Sequence, residues 1–415
     1  MEYGLIGEKL SHSYSKIIHE LFGSYAYELK EIGQQDLRDF LLSRDFRGIN
    51  VTIPYKQAVI PYLDEIDPKA ERIGAVNTIV NRDGNLTGYN TDHYGLCSLI
   101  ERSGYDFTGK RVLIFGGGGT SKTAFSVAED LGASPLIVSR NPSGEFAVSY
   151  EEAYRLHADA DHIINTTPLG MYPDMDNAPA DLKNFHNLQS VTDVIYNPLR
   201  TKLTLQAKEL GIPAVNGLLM LILQAVEACR LFTGMTVKEE RIEEIFRTLK
   251  REKENIVLTG MPGCGKSTVG KLLAKKLQMD FVDTDAEIVK KAGKSIPEIF
   301  ADEGETAFRD LESAVTKEVS GRNRTVIATG GGLILRNENV TSLKNYGKLV
   351  FLDRKIETIR ATADRPLSDD RTKLLKLYEE RLPKYMASAD LTVSVADSPK
   401  QTADRIMELL ERQGN

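Results

Sequence analysis

Short apolar runs alternate along the whole chain with stretches whose apolar positions return every three or four residues. RVLIFG, PLIVS, HIINTT and VTDVIY mark the runs in the first half, and NIVLTG, TVIATGGG and KLVFLD mark them in the second. A short buried run followed by a helix-period stretch is how a parallel strand and its crossover helix read. The pattern therefore predicts an α/β fold of parallel sheets flanked by helices. The longest apolar stretch, GLLMLILQAV at 217–226, is too short to span a bilayer and reads as a buried helix. The segment VKEERIEEIFRTLKREKE at 237–254 is strongly charged, yet places Ile242, Ile245, Phe246 and Leu249 at helical spacing. It reads as the last helix of the first half, running directly into the strand NIVLTG. No Gly/Ser/Pro-rich linker and no internal repeat separates the halves, which are expected to meet near residue 252.

Composition narrows the function class. The chain has 415 residues, 41% hydrophobic and 27% charged, ordinary for a globular protein of several domains. Its net charge of −6 gives no reason to expect nucleic acid or an anionic membrane as partner. Anionic ligands would have to be met by locally placed Arg and Lys. The three cysteines, Cys97, Cys229 and Cys264, show no paired spacing. That pattern argues for a reducing, cytoplasmic location and against disulfides or a zinc cluster. The N-terminal stretch has no apolar run of signal-peptide length.

Two glycine-rich turns carry the chemistry. The second, GMPGCGKST at 260–268, matches G-x-x-x-x-G-K-S/T in full. It follows the strand NIVLT and opens an amphipathic helix, the context that a phosphate loop requires. Gly260, Gly263 and Gly265 let the backbone curl, so that its N–H groups converge on phosphate oxygens. Lys266 supplies charge to the β and γ phosphates, and Ser267 can ligate Mg²⁺. Downstream, FVDTDAEI places Asp283 and Asp285 two apart at a strand end. ETAFRDLE carries Arg309, TGGG at 329–332 offers backbone donors, RPLSDD at 365–370 suits a lid, and ERLPKY carries Arg381.

This ordered set resembles shikimate kinase, over residues 253–415. The resemblance implies a nucleoside-monophosphate-kinase-like P-loop domain with a lid. Gly263, Cys264, Gly265, Lys266, Ser267 and Thr268 would bind ATP. Asp283 would join Ser267 in holding Mg²⁺, and Asp285 would bind substrate hydroxyls and assist as base. Arg309 and Arg381 would clamp the substrate carboxylate, with Gly330, Gly331 and Gly332 lining the same pocket. Arg365 would come from the lid to neutralise the transferring phosphoryl group, and Arg360 would touch the adenine. Lys384 stands where that family usually has an apolar residue, and the lid segment is short and acidic.

The first glycine-rich turn, FGGGGTSKT at 115–123, follows the strand RVLI and starts a helix. Counted from Gly116, the third glycine of G-x-G-x-x-G is replaced by Ser121. The next strand, PLIVSR, arrives at βαβ spacing and ends in Ser139-Arg140, where an NAD-binding unit would usually present an acid. An arginine would pair with a 2′-phosphate, so NADP(H) is favoured over NAD(H). Around this unit lie short polar groups: HSYS with Ser13 and Ser15, NVTIPYK with Lys56 beyond Pro54, GAVNT with Asn77, GYNTDHYG with Thr91 and Asp92, and NGLLMLILQA with Met220 and Gln224 on one helical face. They suit a small polyhydroxylated ligand.

Together they resemble shikimate dehydrogenase, over residues 1 to about 249. The resemblance implies a two-lobed dehydrogenase with a Rossmann-type NADP domain. Residues 1–98, completed by 216–249, would form the substrate lobe, and residues 99–215 the NADP domain. Ser13 and Ser15 would hold the ring carboxylate. Asn77, Thr91, Asp92 and Gln224 would hold hydroxyls, with Thr52 and Tyr196 nearby. Lys56 and Asp92 would be the catalytic pair. Gly116, Gly118, Gly119, Thr120, Ser121, Ser139, Arg140 and Thr166 would bind NADP, and Gly217 and Met220 would border the nicotinamide. Lys16, Thr120 and Ser139 depart from the usual proline, alanine and asparagine.

The two resemblances imply consecutive steps on one oxygen: NADPH-dependent reduction of 3-dehydroshikimate, then ATP-dependent phosphorylation of shikimate. The expected partners are these small molecules, with no nucleic acid and no membrane; a homo-oligomer stays open. Three other readings stand beside this one. The first half could be an NAD-dependent quinate/shikimate dehydrogenase, against which Arg140 argues. The chain could be a non-catalytic shikimate or quinate sensor, against which the retained Lys56, Asp92, Lys266, Asp283, Asp285 and Arg365 argue. The second half could be a nucleotide kinase, but Asp285, Arg309 and Arg381 suit a carboxylated polyol better.

Overall fold

The computed structural model describes residues 1–10, 14–359 and 371–414. The chain divides into two compact units, Met1–Leu249 and Lys250–Asn415. The first holds two six-stranded sheets and the second a five-stranded sheet.

The first sheet comprises β1 (Tyr3–Gly7), β2 (Glu28–Glu31), β3 (Gly48–Val51), β4 (Glu65–Ile66), β5 (Thr78–Arg82) and β6 (Asn85–Tyr89), in the order β2-β1-β3-β5-β6-β4. It is mixed, which corrects the expectation of parallel sheets throughout: β3 and β6 both run antiparallel to β5. The cause is local. Arg82 pairs with Asn85, leaving Asp83-Gly84 as a two-residue turn with φ of 53° and 90°. Asp-Gly accepts that left-handed geometry, and its twist matches the flanking strands. Beyond β3, Tyr55 and Val59 are buried. They anchor the turn that carries Lys56 beyond the end of β3.

The second sheet is all parallel: β7 (Arg111–Phe115), β8 (Ser134–Val138), β9 (Ala147–Val148), β10 (His162–Asn165), β11 (Ser190–Asp193) and β12 (Ala214–Val215), ordered β12-β11-β10-β7-β8-β9. Its central strands β7, β10 and β11 are buried on both faces, as a sheet covered on both sides requires. Leu113 and Phe115 pack into one core with Ile163 and Val191, while Val112 and Ile114 pack into another with Ile164. β7 lies between β8 and β10, so the crevice above the ends of β7 and β10 is the switch point where such sheets take ligands.

The helix Thr91–Arg102 joins the two sheets. Asn90 caps its start, accepting from His93 N at 3.2 Å. It runs unbroken through residue 98, and Leu96, Leu99 and Ile100 pack into the core of the second sheet. The boundary expected at 98/99 therefore falls inside a helix that serves both lobes. Gly95 allows close packing against the helix Leu218–Thr233, since a Cβ there would lie 2.7 Å from Met220 O. The helix Glu239–Lys253 buries Ile242, Ile245 and Leu249 in the core of the first unit, on the stripe read from sequence.

The third sheet is also parallel: β13 (Asn255–Thr259), β14 (Asp280–Asp283), β15 (Thr325–Ala328), β16 (Gly347–Asp353) and β17 (Leu391–Ser394), ordered β14-β15-β13-β16-β17. Ile256 and Leu258 face one core, and Val257 faces the other. The phosphate loop leaves central β13, with the ends of β15 and β16 on either side. Among the described residues no helix is long and apolar enough to cross a membrane.

Candidate active sites

In the first unit, the turn after β3 and the first turn of helix Thr91–Arg102 bring Lys56 Nζ to 2.5 Å from Asp92 Oδ2. Both side chains are partly exposed, at 28% and 18%, so the pair opens onto solvent and onto any ligand. Beneath it lies a buried polar cluster. Asn77 Oδ1 accepts from Thr91 N at 2.7 Å, and Thr91 Oγ1 lies 3.3 Å from Gln224 Oε1. Gln224 Nε2 donates to Leu221 O, which fixes the orientation of its amide. Tyr196 packs edge-on against Tyr14, the neighbour of Ser15, with ring centroids 5.8 Å apart. Burial pushes the Tyr196 hydroxyl pKa up, so it is a neutral donor. Thr52 ends the β3 segment, its N–H donating to Ile6 O. The structure thus gathers Lys56, Asn77, Thr91, Asp92 and Gln224. Ser13 lies outside the described residues.

The dinucleotide crevice forms as the switch point dictates. Gly116 has φ 137°, and a Cβ there would overlap Thr166 Oγ1 from the end of β10. A Cβ on Gly117 would sit 3.5 Å from Ser139 Cβ. The loop therefore lies between Thr166 and Ser139, with Arg140 exposed just beyond. Gly118 and Gly119 have open space where a side chain would be, and helix Gly119–Asp130 begins without a side-chain cap. Its first N–H groups, Thr120 among them, suit a pyrophosphate. Ser121 stands in the first turn of that helix. Its hydroxyl donates to Gly118 O at 2.6 Å and the residue is buried, so it braces the loop from inside. Gly217 fits because a Cβ there would overlap the carbonyl of Val194, and Met220 lies one helical turn on, largely buried.

The second unit contains a cavity of about 560 Å³. Lys266, Ser267, Thr268, Asp283, Asp285, Arg309, Glu312, Gly330, Gly331, Gly332 and Arg381 are among the residues lining it. Gly260, Gly263 and Gly265 have φ of 146°, 80° and 103°, the geometry that curls the loop. Lys266 Nζ donates to Gly260 O and Met261 O at 2.8 and 3.0 Å. Ser267 Oγ donates to Asp283 Oδ2 at 2.5 Å. These two oxygens come from a helix start and the end of β14. They fit Mg²⁺, which keeps most of its shell as water and phosphate. Arg309 and Arg381 are both buried, and Arg381 Nε has no hydrogen-bond partner among the described residues. A buried guanidinium N–H left unpaired is costly, which fits a site built to receive an anionic oxygen.

The glycines after β15 are there for space. A Cβ on Gly330 would meet the carboxylates of Asp285 and Glu312, one on Gly331 would meet Pro262, and one on Gly332 would overlap Arg309. Gly330 N donates to Thr284 Oγ1 at 2.8 Å, which ties the start of this segment to the chain just after β14. Cys264 lies within the phosphate loop. Its thiol is buried in the core and its N–H donates to Met261 O, so it shapes the loop and does not line the cavity. Arg360 and Arg365 lie outside the described residues. Sequence reasoning missed Glu312, 1% exposed and accepting from Arg309 Nη1 at 2.8 Å. Burial pushes its pKa up, opposed by Arg309.

A two-lobed dinucleotide-dependent oxidoreductase followed by a P-loop kinase is the class these sites define. Residues 5–79 match the model of the shikimate dehydrogenase substrate binding domain, and residues 262–411 match that of shikimate kinase. A shikimate dehydrogenase (NADP(+)) of Clostridium perfringens is 37% identical over 266 residues, covering 60% of this chain and 98% of the relative. A chorismate mutase/shikimate 5-dehydrogenase fusion protein from Clostridium acetobutylicum superposes with TM-score 0.57 at 37% identity, over 60% of this chain and 96% of that one. A quinate dehydrogenase from Corynebacterium glutamicum in complex with NAD superposes with TM-score 0.54 at 30% identity, over 60% and 99%. The chain belongs to the shikimate dehydrogenase family and carries a shikimate kinase domain as well. It is a bifunctional enzyme of the shikimate pathway.

Proposed function

We propose that the first unit reduces 3-dehydroshikimate to shikimate with NADPH and that the second phosphorylates the 3-hydroxyl of shikimate with ATP and Mg²⁺, both in the cytoplasm. The observation that carries this reading is that each unit presents its own set of reactive groups among the described residues. One has the Lys56–Asp92 pair beside a dinucleotide crevice; the other has a phosphate loop facing two buried arginines.

In the reduction the cofactor supplies the hydride. Reduction of a ketone leaves negative charge on its oxygen. Lys56, held by Asp92, stabilises that charge and delivers the proton. Asn77, Thr91 and Gln224 orient the ring through its hydroxyls. Arg140 meets the 2′-phosphate, which selects NADPH over NADH.

In the phosphorylation Arg309 and Arg381 grip the carboxylate and Asp285 accepts the proton of the attacking hydroxyl. Ser267 and Asp283 hold the metal, and Lys266 turns from its own loop carbonyls to the phosphates.

The test uses the full chain and two variants, each assayed for both half-reactions. K56A should lose dehydrogenase and keep kinase activity, and K266A should do the reverse. A wild-type chain lacking either activity would refute that half of the proposal.

A further inference from the structure

Asp193 is the most deeply buried carboxylate of the first unit's crevice, and no step above uses it. It ends β11 with no exposed surface. Oδ1 accepts from Asn165 Nδ2 at 3.0 Å and from Ile195 N at 3.1 Å, and Oδ2 accepts from Thr201 Oγ1 at 2.6 Å. These partners are an amide, a peptide N–H and a hydroxyl, none of them cationic. Burial pushes its pKa up to about 6. A buried carboxylate without a cation is a costly choice for stability alone.

The three partners belong to three segments, and each leads to a residue of the proposed site. Asn165 accepts from Thr167 N and Oγ1 at 2.9 and 2.7 Å, which shapes the turn holding Thr166 against Gly116. Ile195 precedes Tyr196, and its carbonyl accepts from Gly217 N at 3.0 Å. Gly217 in turn lies against the carbonyl of Val194. Thr201 caps the helix Lys202–Glu209 and closes the turn that begins at Val194.

We propose that Asp193 is a positioning residue of the dehydrogenase: without touching a ligand, it sets the turn 194–201 that presents Tyr196 to the substrate and seats Gly217 beside the nicotinamide. This rests on the dehydrogenase reading above. A displacement of the order of 1 Å at groups that align a ligand is enough to cost about a hundredfold in rate.

The test compares D193N, T201V and T201S with wild type in the full chain. Steady-state constants are measured for both dehydrogenase substrates, with kinase activity and thermal unfolding of the same preparations. D193N keeps the shape but replaces one accepting oxygen by a donor. We expect its dehydrogenase kcat to fall roughly tenfold to a hundredfold, and its KM for NADPH to rise, with kinase constants unchanged. Its unfolding temperature should be unchanged or higher, because a buried charge is removed. T201V should follow D193N in activity, and T201S should restore it. The inference is overturned if D193N keeps all dehydrogenase constants within about twofold of wild type, or if its loss only parallels a lower unfolding temperature. A wild-type chain with kinase but no dehydrogenase activity would instead refute the reading beneath it, and the inference with it.

Discussion

Lys56 and Asp92 stand on a turn after β3 and on the first turn of a helix beyond β6, yet their side chains meet at 2.5 Å between Nζ and Oδ2. The contact is partly open to solvent, and ion pairs open to solvent contribute little to stability. K56M should therefore leave the unfolding temperature nearly unchanged and lower dehydrogenase kcat by about 10²–10⁴. D92N should lower it less, because it removes the orienting partner and spares the proton donor. Steady-state kinetics with a melting curve checks both.

Two glycines of the dinucleotide crevice are predicted to be irreplaceable. G116A would force φ 137° on a residue with a Cβ and overlap Thr166 Oγ1, and G217A would drive a methyl into the Val194 carbonyl. Each should raise KM for NADPH at least about tenfold, the loss expected from roughly 1.4 kcal/mol of binding. G118A meets open space, and it should be far milder.

Arg140 separates the NADP reading from the NAD one. R140A should raise KM for NADPH about tenfold or more, as loss of a charge-assisted pair predicts, and leave NADH kinetics unchanged. Equal use of both cofactors by wild type would favour the NAD-linked alternative.

In the kinase, R381K keeps the charge but loses the planar fork, while the buried Nε position has no other described partner. KM for shikimate should rise at least about tenfold with KM for ATP unchanged. E312Q should act differently. It removes the buried 2.8 Å ionic partner of Arg309 and leaves the more exposed Glu305, at 3.1 Å, as the remaining one, so the cost should fall below the roughly 3–5 kcal/mol of leaving a buried charge wholly unpaired. A lowered unfolding temperature of the second unit, together with weaker shikimate binding, is the expected result.

His19 gives a pH prediction. It is fully buried, stacked on Tyr27 with centroids 4.0 Å apart, and its Nδ1 lies 2.5 Å from Tyr25 OH. Burial lowers its pKa from 6.5 to about 3. Between those values the unfolded chain binds a proton that the fold refuses, so His19 costs stability as pH falls, at about 1.4 kcal/mol per unit. Above pH 6.5 it has no such effect. H19F keeps the stack, and its stability relative to wild type should grow as pH falls from 6 to 4. Denaturant melts at several pH values measure that difference.

Much of this was legible because glycine loops and apolar runs carry local physics. Strand, loop and helix at 255–277 follow from spacing alone, and so does the stripe of Ile242, Ile245 and Leu249. The Asp83-Gly84 hairpin was also readable as an Asp-Gly turn between apolar runs, but the βα rhythm around it masked the signal. Glu312 was not readable: three residues after Arg309 on a helix, it looks like any surface ion pair until burial is known. Asp193 looks like a strand-end acid, and only tertiary structure shows three segments hung on its carboxylate. The helix Thr91–Arg102 runs through residues 98 and 99, so no composition shift marks the passage from one sheet to the next. Ser121 and Cys264 occupy motif positions but turn inward, which motif spelling does not encode.

The central claim is that one polypeptide carries out both steps. Its most direct test is a single tube containing the purified chain, 3-dehydroshikimate, NADPH, ATP and Mg²⁺, with shikimate and shikimate 3-phosphate quantified over time. The account predicts that shikimate 3-phosphate accumulates as NADPH is consumed, approaching one ester per NADPH oxidised. Accumulation of shikimate alone, or of neither product while shikimate still binds, would contradict it.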